Sequence, residues 1–138
     1  MIVVNGGTDK VKAEMKKAAA AITDEIKEIK AKYKKEKVKK LPKDAEAKIE
    51  ALERTKGMYG VSNILPVRVG EIVINFKLYE TFMKKIKDFQ IDMTVSDECV
   101  QVDYRKGQAQ GTLVLEDMSS YFGGFEHIPL ASVKENGA

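Results

Sequence analysis

The stretch Leu65-Pro-Val-Arg-Val-Gly-Glu-Ile-Val-Ile-Asn-Phe76 is where the chain changes its periodicity. Leu65, Val67 and Val69 alternate with Pro66 and Arg68, and Ile72, Ile74, Phe76 and Leu78 alternate with Val73, Asn75 and Lys77. Alternation of apolar and polar residues is the signature of a strand with one face buried. Gly70-Glu71 between the two runs suits a two-residue hairpin turn with glycine first, and Pro66 confines the first strand to an edge or to its own beginning.

Downstream of this hairpin, Tyr79, Phe82, Met83, Ile86 and Phe89 fall at helical spacing, which predicts a short amphipathic helix over 79–89 that covers the sheet. Alternation returns at Ile91, Met93 and Val95, turns at Asp97-Glu98, and runs back through Val100, Val102 and Tyr104. Gly107 turns the chain again into a strand at Thr112–Leu115. The order ββαβββ therefore predicts a mostly antiparallel sheet with one covering helix, because the links are too short for parallel crossovers.

Upstream the spacing is helical. Residues 2–4 suit a short edge strand, Asn5-Gly6-Gly7 a turn, and Thr8 or Asp9 a helix N-cap. Met15, Ile22 and Ile29 recur at seven, as do Ala19, Ile26 and Tyr33, giving one narrow apolar stripe that runs to about Val38. Leu41-Pro42 breaks it, since proline disfavours helical geometry in its predecessor yet suits a helix's first turn. A second helix is expected over 43–56, with Ala45, Ile49 and Leu52 on one face and Gly57 or Gly60 as its stop. The fold class expected is α+β: a helical hairpin in residues 1–60 and an antiparallel sheet with one helix in residues 61–138, folding together. So narrow a stripe also suits the seam of a paired helix, and hence a homo-oligomer joined through the N-terminal helices.

Charge divides the 138 residues at the same place. Residues 1–60 carry sixteen Lys or Arg against ten Asp or Glu, whereas residues 61–138 carry eight against eleven. Nine lysines lie between Lys27 and Lys43, opposed only by Glu28 and Glu36, a local charge of +7 at the tip of the expected hairpin. Lys30, Lys34, Lys35, Lys37, Lys39 and Lys40 are the candidate contacts to an acidic partner. Such a block steers association with nucleic acid, anionic lipid or an acidic protein surface. Lysine outnumbers arginine 21 to 3. Arginine forks onto guanine edges and phosphates while lysine acts as a point charge, so contact without sequence preference is expected. A solvated charged face, or the codon bias of an AT-rich genome, explains the same block without a partner.

Catalytic signatures are sparse. His127 is the sole histidine, sits beside apolar residues and has no G-x-S-x-G motif to serve. Cys99 follows Asp97 and Glu98, whose charge suppresses thiolate formation. One cysteine forms no internal disulfide and no Cys/His cluster suits zinc, so neither metal nor cofactor is expected, and a reducing, cytoplasmic setting fits best. No apolar run approaches the roughly 18 residues of a membrane span, and no basic residue precedes the opening Met-Ile-Val-Val, so secretion and membrane insertion are disfavoured. Asp92, Asp97, Glu98 and Asp103 do not fit nuclease chemistry, because Lys106 lies three residues after Asp103, on the other face of a strand. Gly6-Gly7 and Gly123-Gly124 lack the lysine and hydroxyl of a phosphate loop.

Tyr121-Phe122-Gly123-Gly124-Phe125 has the composition of a stacking platform for bases. With Arg105 and Lys106, the residues Tyr121, Phe122 and Phe125 form a second candidate, a small-ligand or nucleotide pocket on the β half or between protomers. The leading expectation is a small non-enzymatic binding protein whose lysine tip engages nucleic acid or an acidic protein. A compact lysine-rich protein without catalytic groups also has the profile of an accessory inhibitor from a virus or mobile element.

Overall fold

The computed structural model describes residues 1–36, 39–61, 63–123 and 128–134. Strand β1 (Ile2–Val3) leads into helix α1 (Gly7–Lys35), and α2 (Lys43–Tyr59) returns beside it. The second half comprises β2 (Pro66–Val69), β3 (Ile72–Asn75), α3 (Phe76–Lys85), β4 (Gln90–Val95), β5 (Cys99–Lys106), β6 (Ala109–Glu116), a 3-10 turn over Ser119–Phe122, and β7 (Ser132–Val133). This is the expected α+β order of helices followed by antiparallel strands. Among the described residues no helix is long and apolar enough to cross a membrane.

The strands do not form one sheet, as periodicity alone suggested. They form three antiparallel ladders: β1 with β7, β2 with β3, and β4-β5-β6. The β2–β3 hairpin turns at Gly70, whose φ of +57° is the left-handed conformation that glycine adopts freely. Val67, Val69, Ile72, Val73 and Ile74 are completely buried, so this hairpin is covered on both faces and alternation does not mark an outer side. Its edges are occupied too. Arg68 N–H donates to Pro129 O (2.8 Å), Ala131 N–H to Arg68 O (2.7 Å), and Met118 N–H to Val73 O (2.7 Å).

Asp117, just past β6, completes that attachment. Its Oδ1 accepts from Val73 N–H and Ser119 N–H (both 2.9 Å), and its Oδ2 from the Ser119 hydroxyl (2.9 Å). Desolvation pushes the carboxyl up, and these hydrogen bonds together outweigh it, holding Asp117 below its ordinary value of 3.8. A depressed folded-state value stabilises the fold above about pH 4, and that contribution is lost as pH falls through the folded value. Asp117→Asn keeps the shape but gives up the charge-assisted bonds. It is expected to cost about 1 kcal/mol at neutral pH in urea unfolding, with the gap from wild type closing below pH 4. A gap that is unchanged at acid pH would contradict this role.

Four helix boundaries differ from expectation. Helix α1 begins at Gly7 with Gly6 as N-cap (φ 88°), earlier than Thr8 or Asp9, because Gly7 N–H closes a turn onto Val4 O (2.9 Å). The Thr8 hydroxyl donates to Glu80 Oε1 (3.3 Å) and caps nothing. Helix α2 runs on past Gly57 to Tyr59, whose buried ring packs on Phe122 at 5.1 Å, and stops at Gly60, the second of the two glycines expected to end it. Helix α3 starts at Phe76 because the Asn75 side chain accepts from Lys77 N–H (3.1 Å) and Leu78 N–H (3.5 Å), and it ends at Lys85, short of Phe89.

The α1 stripe is likewise rotated from the heptad reading. Val11, Met15, Ala18, Ile22 and Ile26 are buried, while Ala19, Ile29 and Tyr33 are half-buried. A straight helix at 3.6 residues per turn drifts away from a seven-residue repeat, which carries Tyr33 off the buried side. Helix α2 covers this stripe with Ala45 and Ile49, and a single apolar cluster runs from Ile22 and Ile49 through Tyr59 and Val73 to Phe122.

Candidate functional site

The hairpin tip carries the densest charge of the chain. Lys27, Lys30, Lys32, Lys34, Lys35, Lys39, Lys40 and Lys43 are all exposed; Lys37 lies outside the described residues, as does Val38. At about 100° per residue the lysines of α1 spread over roughly 200° of its surface, every side except the one packed on α2. Lys32 Nζ lies 5.7 Å from the Tyr33 ring centre. Among the described residues no lysine of the 27–43 block forms an ion pair; Lys48–Glu25 (3.8 Å) links the two helices further from the tip.

Lys30 and Lys34 are i,i+4 neighbours, and such like-charge pairs cost a few tenths of a kcal/mol, about 0.3 each. Lys32, Lys34 and Lys35 occupy the last turn of α1, where the negative end of the helix dipole offsets the repulsion. The tip is thus a tolerated concentration of point charges, with no rigid fork for reading base edges. Helix α1 has 29 residues, so it places the tip about 43 Å from Gly7.

Within one chain, the described residues of the second candidate are not brought together. Phe122 is buried against Tyr59, Tyr121 is 58% exposed, and Phe125 lies outside the described residues, as do Gly124 and His127. Arg105 and Lys106 lie at the other end of the strands. Cys99 pairs with Glu116 beside the 3-10 turn, and Lys106 pairs with Ala109 seven residues away, about 23 Å along β5. Tyr121 and Phe122 are therefore separated from the two cations by the length of the sheet.

Arg105 instead borders an open hollow of about 1190 Å3 with Met83, Lys87, Phe89, Tyr104 and Gly111. Tyr104 packs edge-on against Phe82 (5.2 Å) and Phe89 (5.8 Å), with Lys106 Nζ 5.9 Å from the Phe89 centre. The lining comes from both sides of the strand ends, Tyr104 from one and Arg105 from the other, so this is a surface recess and not an enclosed pocket. Gly111 in mid-strand opposite Tyr104 was the available sequence signal, since glycine inside a strand marks a close approach.

The carboxylates show no nuclease arrangement. Asp103 accepts from the Thr112 hydroxyl (2.7 Å) and the Gln101 amide (3.2 Å), while Lys106 lies over Phe89. Among the described residues no three His, Cys, Asp or Glu side chains gather as a metal site. Cys99 is a free, half-buried thiol beside the Ser96 turn.

Comparison of the chain with protein families, with curated proteins and with solved structures gives no match.

Proposed function

We propose that the protein is a non-enzymatic binding protein whose lysine tip grips the phosphate backbone of nucleic acid without reading its sequence. The observation that supports this reading is the run of exposed tip lysines, free of ion pairs among the described residues, at the far end of a two-helix arm. Point charges spread round a helix neutralise phosphates from many angles, and gain affinity by releasing condensed counterions. One copy suffices for this: the apolar stripe that suggested a second helix is already covered by α2 of the same chain. A protein that covers nucleic acid, or competes for it, in this way would act by blocking access, as an accessory inhibitor does.

The test is fluorescence anisotropy with labelled duplexes and single strands of unrelated sequence at low salt. Unrelated duplexes are expected to bind within about threefold of each other, because lysine supplies no bidentate base contact worth 1–3 kcal/mol. Absence of binding, or strong preference for one sequence, would contradict the reading. Binding instead to an acidic polypeptide such as polyglutamate, but not to nucleic acid, would transfer the tip to a protein partner.

A further inference from the structure

The β4-β5-β6 sheet has one packed side and one bare side. Ile91, Met93, Val100, Val102, Tyr104 and Leu115 point one way, and half- or fully buried positions mark that side. The other side presents the exposed Asp92 and Glu116 and Val114 (49% exposed), with the half-buried Asp103 held by Gln101 and Thr112. Asp97, Glu98 and Asp117 add three exposed carboxylates at one end of the sheet, where Asp117 N–H donates to Glu98 O (3.2 Å).

Opposing these carboxylates on the bare side is Arg105, whose guanidinium donates to Gln90 Oε1 (2.9 Å). Asp92 lies directly across the ladder from Asp103, a like-charge juxtaposition that destabilises a sheet unless something neutralises it. Among the described residues the side chains of Asp92, Glu98 and Glu116 have no ion pair. The same chain therefore presents a tip of net positive charge and a sheet face of net negative charge, whose carboxylates outnumber the one arginine on it.

We propose that the bare face of the β4-β5-β6 sheet docks the lysine tip of a second copy of this chain. Eight-residue strands give a face about 26 Å long, and two packed helices make a tip about 20 Å across, so one tip fits one face. The contact joins two different surfaces, so each bound copy leaves its own face open, and copies add head to tail or close into a ring. Held by exposed charges, the contact is weak and salt-sensitive. Nucleic acid competes with it for the tip, and the proposal does not require nucleic acid to be the tip's partner.

Sedimentation velocity at about 100 µM protein tests it in low (about 25 mM) and high (about 500 mM) salt. The mass is expected to rise from 15.4 kDa toward twice that value or more at low salt, and to return at high salt. Two charge-reversed variants make the assignment: Lys34→Glu/Lys35→Glu/Lys39→Glu/Lys40→Glu at the tip, and Asp92→Lys/Glu98→Lys/Glu116→Lys on the sheet. Each variant alone is expected to stay monomeric, and an equal mixture to associate, because each then offers the other a matching surface. The sheet variant leaves the Asp103 and Asp117 hydrogen bonds in place, and its urea midpoint verifies folding. It should bind nucleic acid at least as well as wild type, which separates this inference from the proposed function. A wild type monomeric at low salt, or a mixture that fails to associate, would overturn the proposal.

Discussion

Valine at position 111 is expected to lower the stability of the protein by about 3 kcal/mol, the largest effect anticipated for a single exchange outside the fully buried core. A Cβ at Gly111 would lie 2.2 Å from the Tyr104 hydroxyl and 2.4 Å from its Cζ. Phe82 and Phe89 hold the ring edge-on at 5.2 and 5.8 Å, so it clears a side chain at 111 only by swinging into the open hollow and leaving both. Moving it out forfeits two aromatic contacts, each worth about 0.5–1.5 kcal/mol, and exposes apolar surface. The higher strand propensity of valine recovers only part, about 0.5–1 kcal/mol. Urea unfolding of Gly111→Val, Tyr104→Ala and the double variant isolates the coupling. With Tyr104 removed, the Gly111→Val cost should vanish or change sign; an equal cost in both backgrounds would mean that the ring is not what excludes a side chain at 111.

Charge reversal at the tip is expected to have the largest functional effect. Lys34→Glu/Lys35→Glu/Lys39→Glu/Lys40→Glu turns the formal net charge from +3 to −5 and leaves every buried residue in place. Four lost phosphate contacts at low salt should weaken nucleic acid binding by more than about 100-fold. The fold itself should change little, since surface charges away from packed features shift stability by about 0.5 kcal/mol or less. Equal changes at Lys77, Lys84, Lys85 and Lys87, exposed lysines of the second half, are the control and should cost only a few-fold. Comparable losses from both sets would show that net charge, not the tip, governs binding.

Features carried by local pattern were legible in the sequence. Pro42 separates α1 from α2, Gly70 and Gly107 mark turns, and period-two runs locate β2 to β6, because each depends on neighbours in the chain. Features carried by a single side chain or by distant contacts were not. Alternation continues unbroken through Phe76 and Leu78, and only the Asn75 amide, acting as a cap, converts that segment to helix. Gly57 and Gly60 both read as stops, and Gly60 is the cap because burial of Tyr59 against Phe122 holds α2 together beyond Gly57.

The candidate site was legible to the same degree. The lysine block is a property of consecutive residues, and its exposure follows from the helical hairpin around it. The aromatic string reads as a platform, but Phe122 turns inward, and the distance of Tyr121 and Phe122 from Arg105 and Lys106 is fixed by the β5–β6 register. That register also brings Tyr104 over Gly111 and sets Asp92 against Asp103. Composition cannot express such pairings, because they exist only once a particular residue on one strand lies opposite a particular residue on the next.

The most direct test of the central claim is the salt dependence of wild-type binding to a labelled duplex, read by anisotropy. Four phosphate contacts by the tip predict a slope of log affinity against log salt of about −3.6, or roughly a 150-fold loss between 50 and 200 mM. The tip variant should show a slope near zero wherever its binding is measurable. A flat wild-type slope, or a steep one that survives reversal of the tip lysines, would contradict the account.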